Sequence, residues 1–229
     1  MATAAVGPAV TRLGVISDVH ANRVALDAVL AAMPPVDGLV CAGDLVGYNP
    51  WPDECVETLR DRDVLAIRGN HDRAVVSGDT AGMTAMAVAG VEFARRELSA
   101  DGLDWLASLP DARTVGDGRV RVVHGHPDDP DRYTYRGEVG PELLGDADVL
   151  VLGHTHVQFA VRFEAGLVLN PGSVGQPRDG DPRAAFAVLD LDAMTVEERR
   201  VEYDVARVQR AIEGAGLPAE LGERLAEGR

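Results

Sequence analysis

Apolar residues recur along this chain in short runs, and each early run gives way to a helical pattern before the next begins. Val10 to Ser17 reads as a first strand. From Asn22 to Met33 the apolar positions Val24, Leu26, Val29 and Leu30 follow a helical spacing, which Pro34-Pro35 stops. Gly38 to Ala42 is a second strand. The loop Gly47-Tyr48-Asn49-Pro50-Trp51-Pro52 leads into a helix from about Asp53 to Arg62, and Val64 to Ile67 is a third strand. This β-α-β-α-β order is the rhythm of a parallel sheet with crossover helices.

Beyond His71 the period changes. Thr80 to Leu98 predicts one long helix, and Ser99 to Leu109 another, opened by a capping Ser-Ala-Asp-Gly. Strands return at 112–115 and 119–123, with Gly116-Asp117-Gly118 as a hairpin turn between them. Pro127 to Gly137 is a polar loop, Pro141 to Leu144 a short helix, and Val149 to Leu152 a strand. Residues 158–163, 167–169 and 185–189 read as an antiparallel ladder, 195–203 as an edge strand, and 204–213 and 218–227 as terminal helices. Parallel strands early and antiparallel strands late predict an α/β protein of two sheets packed face to face with helices outside. One core suffices for such a stack, so residues 1–229 are expected to form a single domain.

The polar residues at the strand ends change the picture from fold to site. Val64-Leu65-Ala66-Ile67 runs through Arg68-Gly69 into Asn70-His71-Asp72, and a core does not ask for those residues there. The same grammar takes the first strand into Asp18-Val19-His20, the second into Gly43-Asp44, 120–123 into His124-Gly125-His126, and 149–152 into Gly153-His154-Thr155-His156. All six histidines fall in these segments. The carboxyl ends of strands are where α/β sheets place ligands. A pair of divalent metals explains the residue types. Asp18 and His20, two apart in an extended segment, point the same way and can share one metal. Asp44 can bridge two cations, Asn70 offers a neutral oxygen, and His124, His154 and His156 offer imidazoles. Mixed oxygen and nitrogen ligation suits Mn²⁺, Fe, Co²⁺, Zn²⁺ or Ni²⁺ better than Mg²⁺ or Ca²⁺. Two metals roughly 3.5–4 Å apart activate a water and hold phosphoryl oxygens in phosphate-ester hydrolysis.

Composition narrows the setting. The net charge of −15 disfavours nonspecific nucleic-acid binding. All 22 basic residues are Arg, with no Lys, which fits either adaptation to a salt-rich cytoplasm or the codon bias of a GC-rich genome. Two cysteines make no disulfide framework, and Cys41 inside an apolar run reads as a buried thiol suited to a reducing compartment. Met1 to Ala9 is too short and lacks the basic start of a signal peptide. No run approaches the roughly 18 apolar residues of a membrane span. The expectation is a cytoplasmic protein.

As a set, Asp18-Val19-His20, Gly43-Asp44-Leu45-Val46-Gly47, Gly69-Asn70-His71-Asp72, His124-Gly125 and Gly153-His154-Thr155-His156 resemble the motif series of the calcineurin-like metallophosphoesterase superfamily. The likeness spans about residues 13 to 190. Asn170-Pro171-Gly172-Ser173 with Val174 to Arg178 looks like its small bacterial and archaeal phosphodiesterase branch. The resemblance implies a four-layer α-β-β-α sandwich of two mixed sheets. It implies one metal on Asp18, His20, Asp44 and His156, and a second on Asp44, Asn70, His124 and His154, with Mn²⁺ the first choice of ion. It implies that His71 contacts the phosphoryl group and assists the leaving oxygen. Gly47 stands where the larger phosphoprotein phosphatases carry an acidic residue, which favours the small branch.

Roles beyond that set stay open. His126 is either a pocket wall that touches substrate or a loop residue. Arg178, Arg68 and Arg136 suit a second phosphate or a plain ion pair. Tyr48, Trp51, Tyr133 and Tyr135 suit stacking on a base or packing of loops. Asn22 reads as the cap of the first helix. The leading function is a dinuclear phosphoesterase acting on a small phosphate diester or monoester, possible as a homo-oligomer, with no membrane partner and nucleic acid disfavoured. The alternatives are a protein-binding scaffold, as in the retromer subunit of this fold, and a nuclease.

Overall fold

A computed structural model describes residues 11–229. The start of the first strand at Val10 and the leader reading of Met1 to Ala9 lie outside the described residues. Two five-stranded mixed sheets organise the rest. In the first, β1 (Arg12–Ile16), β2 (Gly38–Cys41) and β3 (Leu65–Ala66) run parallel, and β9 (Ala184–Asp190) and β10 (Thr195–Val201) add antiparallel on the other side of β1, in the order β10-β9-β1-β2-β3. In the second, the order is β4-β5-β6-β8-β7: β4 (Ala112–Val115) pairs antiparallel with β5 (Val120–Val123), β5, β6 (Val149–Val151) and β8 (Gly166–Asn170) run parallel, and β7 (Phe159–Phe163) closes antiparallel.

Period-2 alternation decides which faces meet. Leu13, Val15, Val40, Ala187 and Leu189 of the first sheet bury against Val120, Val122, Val149, Val151, Leu167 and Leu169 of the second. The other face of the first sheet, including Ile16, Cys41, Ala66, Phe186 and Val188, is covered by α1 (Arg23–Ala32), α2 (Pro52–Asp61), α3 (Asn70–Ser77), α4 (Ala85–Glu97) and α5 (Ala100–Ser108). The far face of the second sheet buries Leu150, Leu152, Phe159 and Val168 under a thinner layer, two 3-10 turns at Arg136–Glu138 and Pro141–Leu144. The hairpin of α6 (Val205–Gly214) and α7 (Ala219–Glu227) packs on Tyr48, Ala87 and Phe93, next to the loop that leaves β2.

Local signals explain most boundaries. Asn22 accepts a hydrogen bond from Ala25 N and caps α1, and Ser99 caps α5 through Gly102 N. Gly116, Asp117 and Gly118 all take positive φ in the β4–β5 hairpin. Three expectations are corrected. The antiparallel ladder expected over 158–163, 167–169 and 185–189 is split between the sheets: β7 and β8 pair in the second, with β8 parallel to β6, while β9 lies between β1 and β10 in the first. The helix expected over residues 80–98 begins only at Ala85, because Thr84 caps it; the chain before it makes the separate helix α3, ended by Gly78 in the left-handed region. The third strand pairs over Leu65 and Ala66 alone, because Asn70 already begins a helix four residues later.

Candidate metal centre

Parallel pairing sends β1, β2 and β3 to one edge of the first sheet, and β5 and β6 to the matching edge of the second. The segments that leave these edges hold one another. Asp18 N donates to Gly43 O and His20 N to Asp44 O, each at 2.9 Å. His154 N donates to both Asp18 carboxylate oxygens at 3.1 and 3.2 Å, which ties the second sheet to the first. Asp18, His20, Asp44 and His156 form one buried group, and Asp44, His124 and His154 another, each with its ligand atoms within 4.8 Å of one another. Asn70 joins the second group, its Oδ1 3.2 Å from His124 Nε2. Asp44 belongs to both: its Oδ2 lies 3.6 Å from His20 Nε2 and 3.3 Å from His124 Nε2.

The backbone that achieves this is not the extended chain expected from the i, i+2 spacings. Asp18, His20, Asp44, His154 and His156 all take positive φ, as do their neighbours Ala21 and Tyr48. Non-glycine residues rarely adopt that region, and such strain is concentrated at functional sites. The paired donors converge because tight left-handed turns fold them inward, not because alternate residues of a strand share a face. His71 is not in an extended segment either. It is the second residue of α3, about 100° around the helix from Asn70, so both side chains reach the same cleft.

Hydrogen bonds fix which ring nitrogen of each histidine is free. His20 Nδ1 donates to Val46 O at 3.1 Å, His124 Nδ1 to Ala42 O at 2.7 Å, and His156 Nδ1 to Gln176 O at 2.6 Å. Carbonyls only accept, so each Nδ1 carries the proton and each Nε2 presents a lone pair. His154 is turned the other way: its Nε2 donates to Asp131 O at 3.0 Å and leaves Nδ1 free. His20 Nε2 and His156 Nε2 then face each other at 3.0 Å with a lone pair on each. A cation between them resolves that contact. At His124, Nε2 faces Asp44 Oδ2 and Asn70 Oδ1, again acceptor to acceptor, unless a proton or a metal intervenes. The donor set therefore fits divalent cations, and the second contacts to carbonyls are those that orient metal-binding imidazoles.

Charge follows from the same geometry. Burial opposes ionisation of Asp44, but His124, His71 and His20 hold its carboxyl well below the usual range. Burial would raise Asp18 too, and His156 pulls it down to about 2. Burial lowers His20 and His156, and with the help of His124 it lowers His154 to about 4. His124 goes the other way: burial opposes its charge, but the Asp44 carboxylate lifts it to about 9, so without metal a proton takes the cation's place. A folded pKa raised above the unfolded value near 6.5 stabilises the protein fully below that value, and the stabilisation is lost as pH rises through about 9. Chelator-treated protein should therefore lose about 3 kcal/mol of stability between pH 6.5 and 9.5. Added Mn²⁺ should remove that loss, because metal needs the unprotonated ring. Thermal unfolding against pH measures both; a chelated protein whose melting temperature is flat or rises over this window contradicts the assignment.

Several residues quoted in the motifs take supporting roles that the sequence alone does not assign. Asp72, buried in the first turn of α3, accepts from Leu45 N, Val46 N and Gly69 N and so fixes the loop after Asp44. Burial and the Asp44 charge push its carboxyl up to about 7, against those three donors. Asn170 Nδ2 donates to Gly153 O at 2.7 Å and to Thr155 Oγ1 at 3.0 Å, shaping the His154 turn. Ser173 Oγ donates to Asp18 O at 2.7 Å. The Asn-Pro-Gly-Ser stretch is thus a buttress, its Asx-type turn closed by Gly172 N donating to Asn170 Oδ1. Gly69 is required by space, since a Cβ there would lie 2.0 Å from Asp44 Oδ1. Gly47 takes φ +92°, and a Cβ would meet His71 Nδ1 at 2.5 Å, which excludes the acidic side chain larger phosphatases carry there.

The remaining candidates scatter. His126 is outside both groups; its Nδ1 accepts from Asp128 N at 3.2 Å and shapes its own loop. Arg178 donates to Gln176 Oε1 at 2.8 Å and lies over the Tyr48 ring. Arg68 pairs with Asp111 at 3.1 Å, and Arg136 sits exposed in a 3-10 turn. Tyr48 is buried edge-on to His20 and beside His71, while Trp51 packs with the α6–α7 hairpin.

Residues 11–194 match the family model of the calcineurin-like phosphoesterase superfamily domain. The chain belongs to that superfamily. It is a phosphoesterase by family, and its buried His/Asp cluster is compatible with a metal site. Among solved structures it is similar to a metallophosphoesterase from Sphaerobacter thermophilus, 37% identical with a TM-score of 0.85, covering 96% of this chain and 100% of that one. It is 33% identical to the uncharacterised protein MJ0912 of Methanocaldococcus jannaschii over 95% of this chain and 98% of that protein. It is 28% identical to the phosphodiesterase YfcE of Escherichia coli over 84% and 94% of the two chains. The phosphoesterase fold here is the two-sheet sandwich expected from the strand order. Among the described residues no helix is long and apolar enough to cross a membrane.

Proposed function

We propose that this phosphoesterase binds two divalent ions, Mn²⁺ foremost, and hydrolyses a small phosphate diester or monoester. The observation that supports it most is the His20–His156 contact, two lone pairs held 3.0 Å apart by donors committed elsewhere, beside a carboxylate shared with a second buried group. Asp18, His20, Asp44 and His156 would hold one ion, and Asp44, Asn70, His124 and His154 the other. Bound there, the ions would lower the pKa of a water and neutralise phosphoryl charge.

The chain's own residues do the rest. Asp44 sets the spacing of the two halves of the site through Oδ2, while its Oδ1 accepts from His71 N at 2.9 Å and so anchors the first turn of α3. His71 is 4% exposed at the cleft, and its Nδ1 has no hydrogen-bond partner. That nitrogen is buried against Gly47, so Nε2 is the one left to meet a phosphoryl or leaving oxygen. We read the chain as one domain whose core, about residues 10–190, is closed by the strand and helices of 195–229. Buried free thiols at Cys41 and Cys55 suit a reducing cytoplasm.

The test is direct. Purified protein with Mn²⁺, assayed at high and low salt, should hydrolyse bis-p-nitrophenyl phosphate, and a chelator should abolish the activity. No turnover with any of Mn²⁺, Ni²⁺, Co²⁺ or Zn²⁺ would sink the enzymatic reading and leave a binding scaffold of the same fold.

A further inference from the structure

The cleft over His71 and Asn70 is larger than a phosphate group needs. A cavity of about 440 Å³ runs from these residues and His154 along α3 to the loop before α4. That is the size of a small-molecule site rather than of an anion site. Its lining mixes apolar Ala74, Met83 and Ala87 with polar Ser77, Asp79 and Thr84. Tyr133 lines it too, its ring 4.0 Å from that of His154 at an interplanar angle of 20°.

Tyr133 and Tyr135 are the exposed large hydrophobics among the described residues, at 45% and 47%. In a chain with only 4% aromatic residues, two exposed ones stand two positions apart, and the first of them lines the cavity. Their placement is built. Thr134 between them is buried, so the segment alternates and directs both rings outward. The rings are nearly parallel, 12° apart in plane and 6.1 Å between centroids. The loop is pinned at both ends. Asp131 pairs with Arg73 of α3 and its carbonyl accepts from His154, while Tyr135 N donates to Glu138 Oε2 at 2.9 Å. Shielding of His154 accounts for Tyr133 alone; Tyr135 shields no candidate ligand and stands 47% exposed.

We propose that Tyr133 and Tyr135 form a stacking platform that selects phosphate esters bearing a planar aromatic ring, as a nucleoside phosphate does, with the ring laid on the platform while the phosphate sits over His71 and Asn70. The inference rests on the phosphoesterase reading for the position of the phosphate. The rings are in place before any ligand arrives, so little ordering cost offsets the contact, and a base of any identity presents a face to stack.

Calorimetric titration of Mn²⁺-loaded protein with AMP and with ribose 5-phosphate separates the ring's contribution from the phosphate's. AMP should bind at least about tenfold more tightly, in the range of base–aromatic stacking. Tyr135→Leu, which touches no candidate ligand, should bring that ratio to within about threefold while leaving ribose 5-phosphate affinity unchanged. Tyr135→Phe should retain the full ratio, and Tyr133→Leu, which also uncovers His154, should lower that ratio as Tyr135→Leu does. A wild-type ratio near unity, or a ratio that survives both Leu variants, overturns the platform. Turnover of bis-p-nitrophenyl phosphate by the same samples reports separately on the phosphoesterase reading. Activity without an AMP preference defeats the platform alone; a preference without activity defeats the enzymatic function alone.

Discussion

Asp44→Asn should strip both metals from the protein, whereas Asp18→Ala should chiefly empty the first group. The expectation follows from a single oxygen: Asp44 Oδ2 lies within 3.6 Å of His20 Nε2 and 3.3 Å of His124 Nε2, the free nitrogens of two different donor groups. Asn at this position keeps an oxygen to accept from His71 N, so the first turn of α3 retains its anchor, but it removes the charge. Asp18 reaches His156 at 3.3 Å and His20 at 3.9 Å and belongs to one group alone. Bound metals supply several kcal/mol of transition-state stabilisation, so turnover should fall on the order of 10³-fold or more in Asp44→Asn. Metal content per chain by elemental analysis, with circular dichroism to verify the fold, measures the effect. The metal-free variant offers a second reading. The charge that lifts His124 to about 9 is gone, so its titration followed by NMR should move down. Equal metal loss in the two variants, or an unmoved His124, would contradict the shared role of Asp44.

What could be read in the sequence, and what could not, divides along a physical line. Strand ends are legible because short apolar runs give way to Asp, Asn or His, usually with a Gly alongside, and parallel pairing then brings those ends to one edge. That argument uses only chain order and sheet topology. The donors' orientation was not legible. The spacing Asp18-x-His20 reads as two residues on one face of a strand, yet both residues sit at positive φ, near +50°. Such backbone is held by bonds to distant segments, Gly43 O, Asp44 O and Leu45 O, which no local pattern announces. The same holds for the imidazoles: Val46, Ala42 and Gln176 supply the carbonyls that set their tautomers, through main-chain atoms that any residue could offer. The helical start at Asn70-His71 is masked because Gly69 both punctuates a strand and serves as the N-cap of a helix. Asp72, whose side chain closes that cap onto Gly69 N, was the available sign that a helix begins there.

His71→Ala should keep both metals and the fold and lose turnover by about 10²- to 10⁴-fold, the usual worth of a positioned proton donor or hydrogen-bond donor. Metal retention is expected because the ring belongs to neither donor group. Its one link to them through the main chain, His71 N to Asp44 Oδ1, survives the substitution. Burial, only partly offset by the Asp44 charge, lowers the His71 pKa to about 4, so near pH 7 the imidazole is neutral and keeps one N–H. A neutral imidazole donates a hydrogen bond well and a proton poorly. The loss should therefore be similar for p-nitrophenyl and alkyl phosphate esters, since contact with a phosphoryl oxygen does not depend on the leaving group. A loss confined to alkyl esters, whose leaving oxygen needs a proton, would instead make His71 the general acid and require that substrate binding raise its pKa above the pH of the assay. Rates for a matched pair of aryl and alkyl esters, taken with metal content per chain, decide between these roles. A variant that has lost metal, or that turns over the alkyl ester at the wild-type rate, would show that His71 does neither.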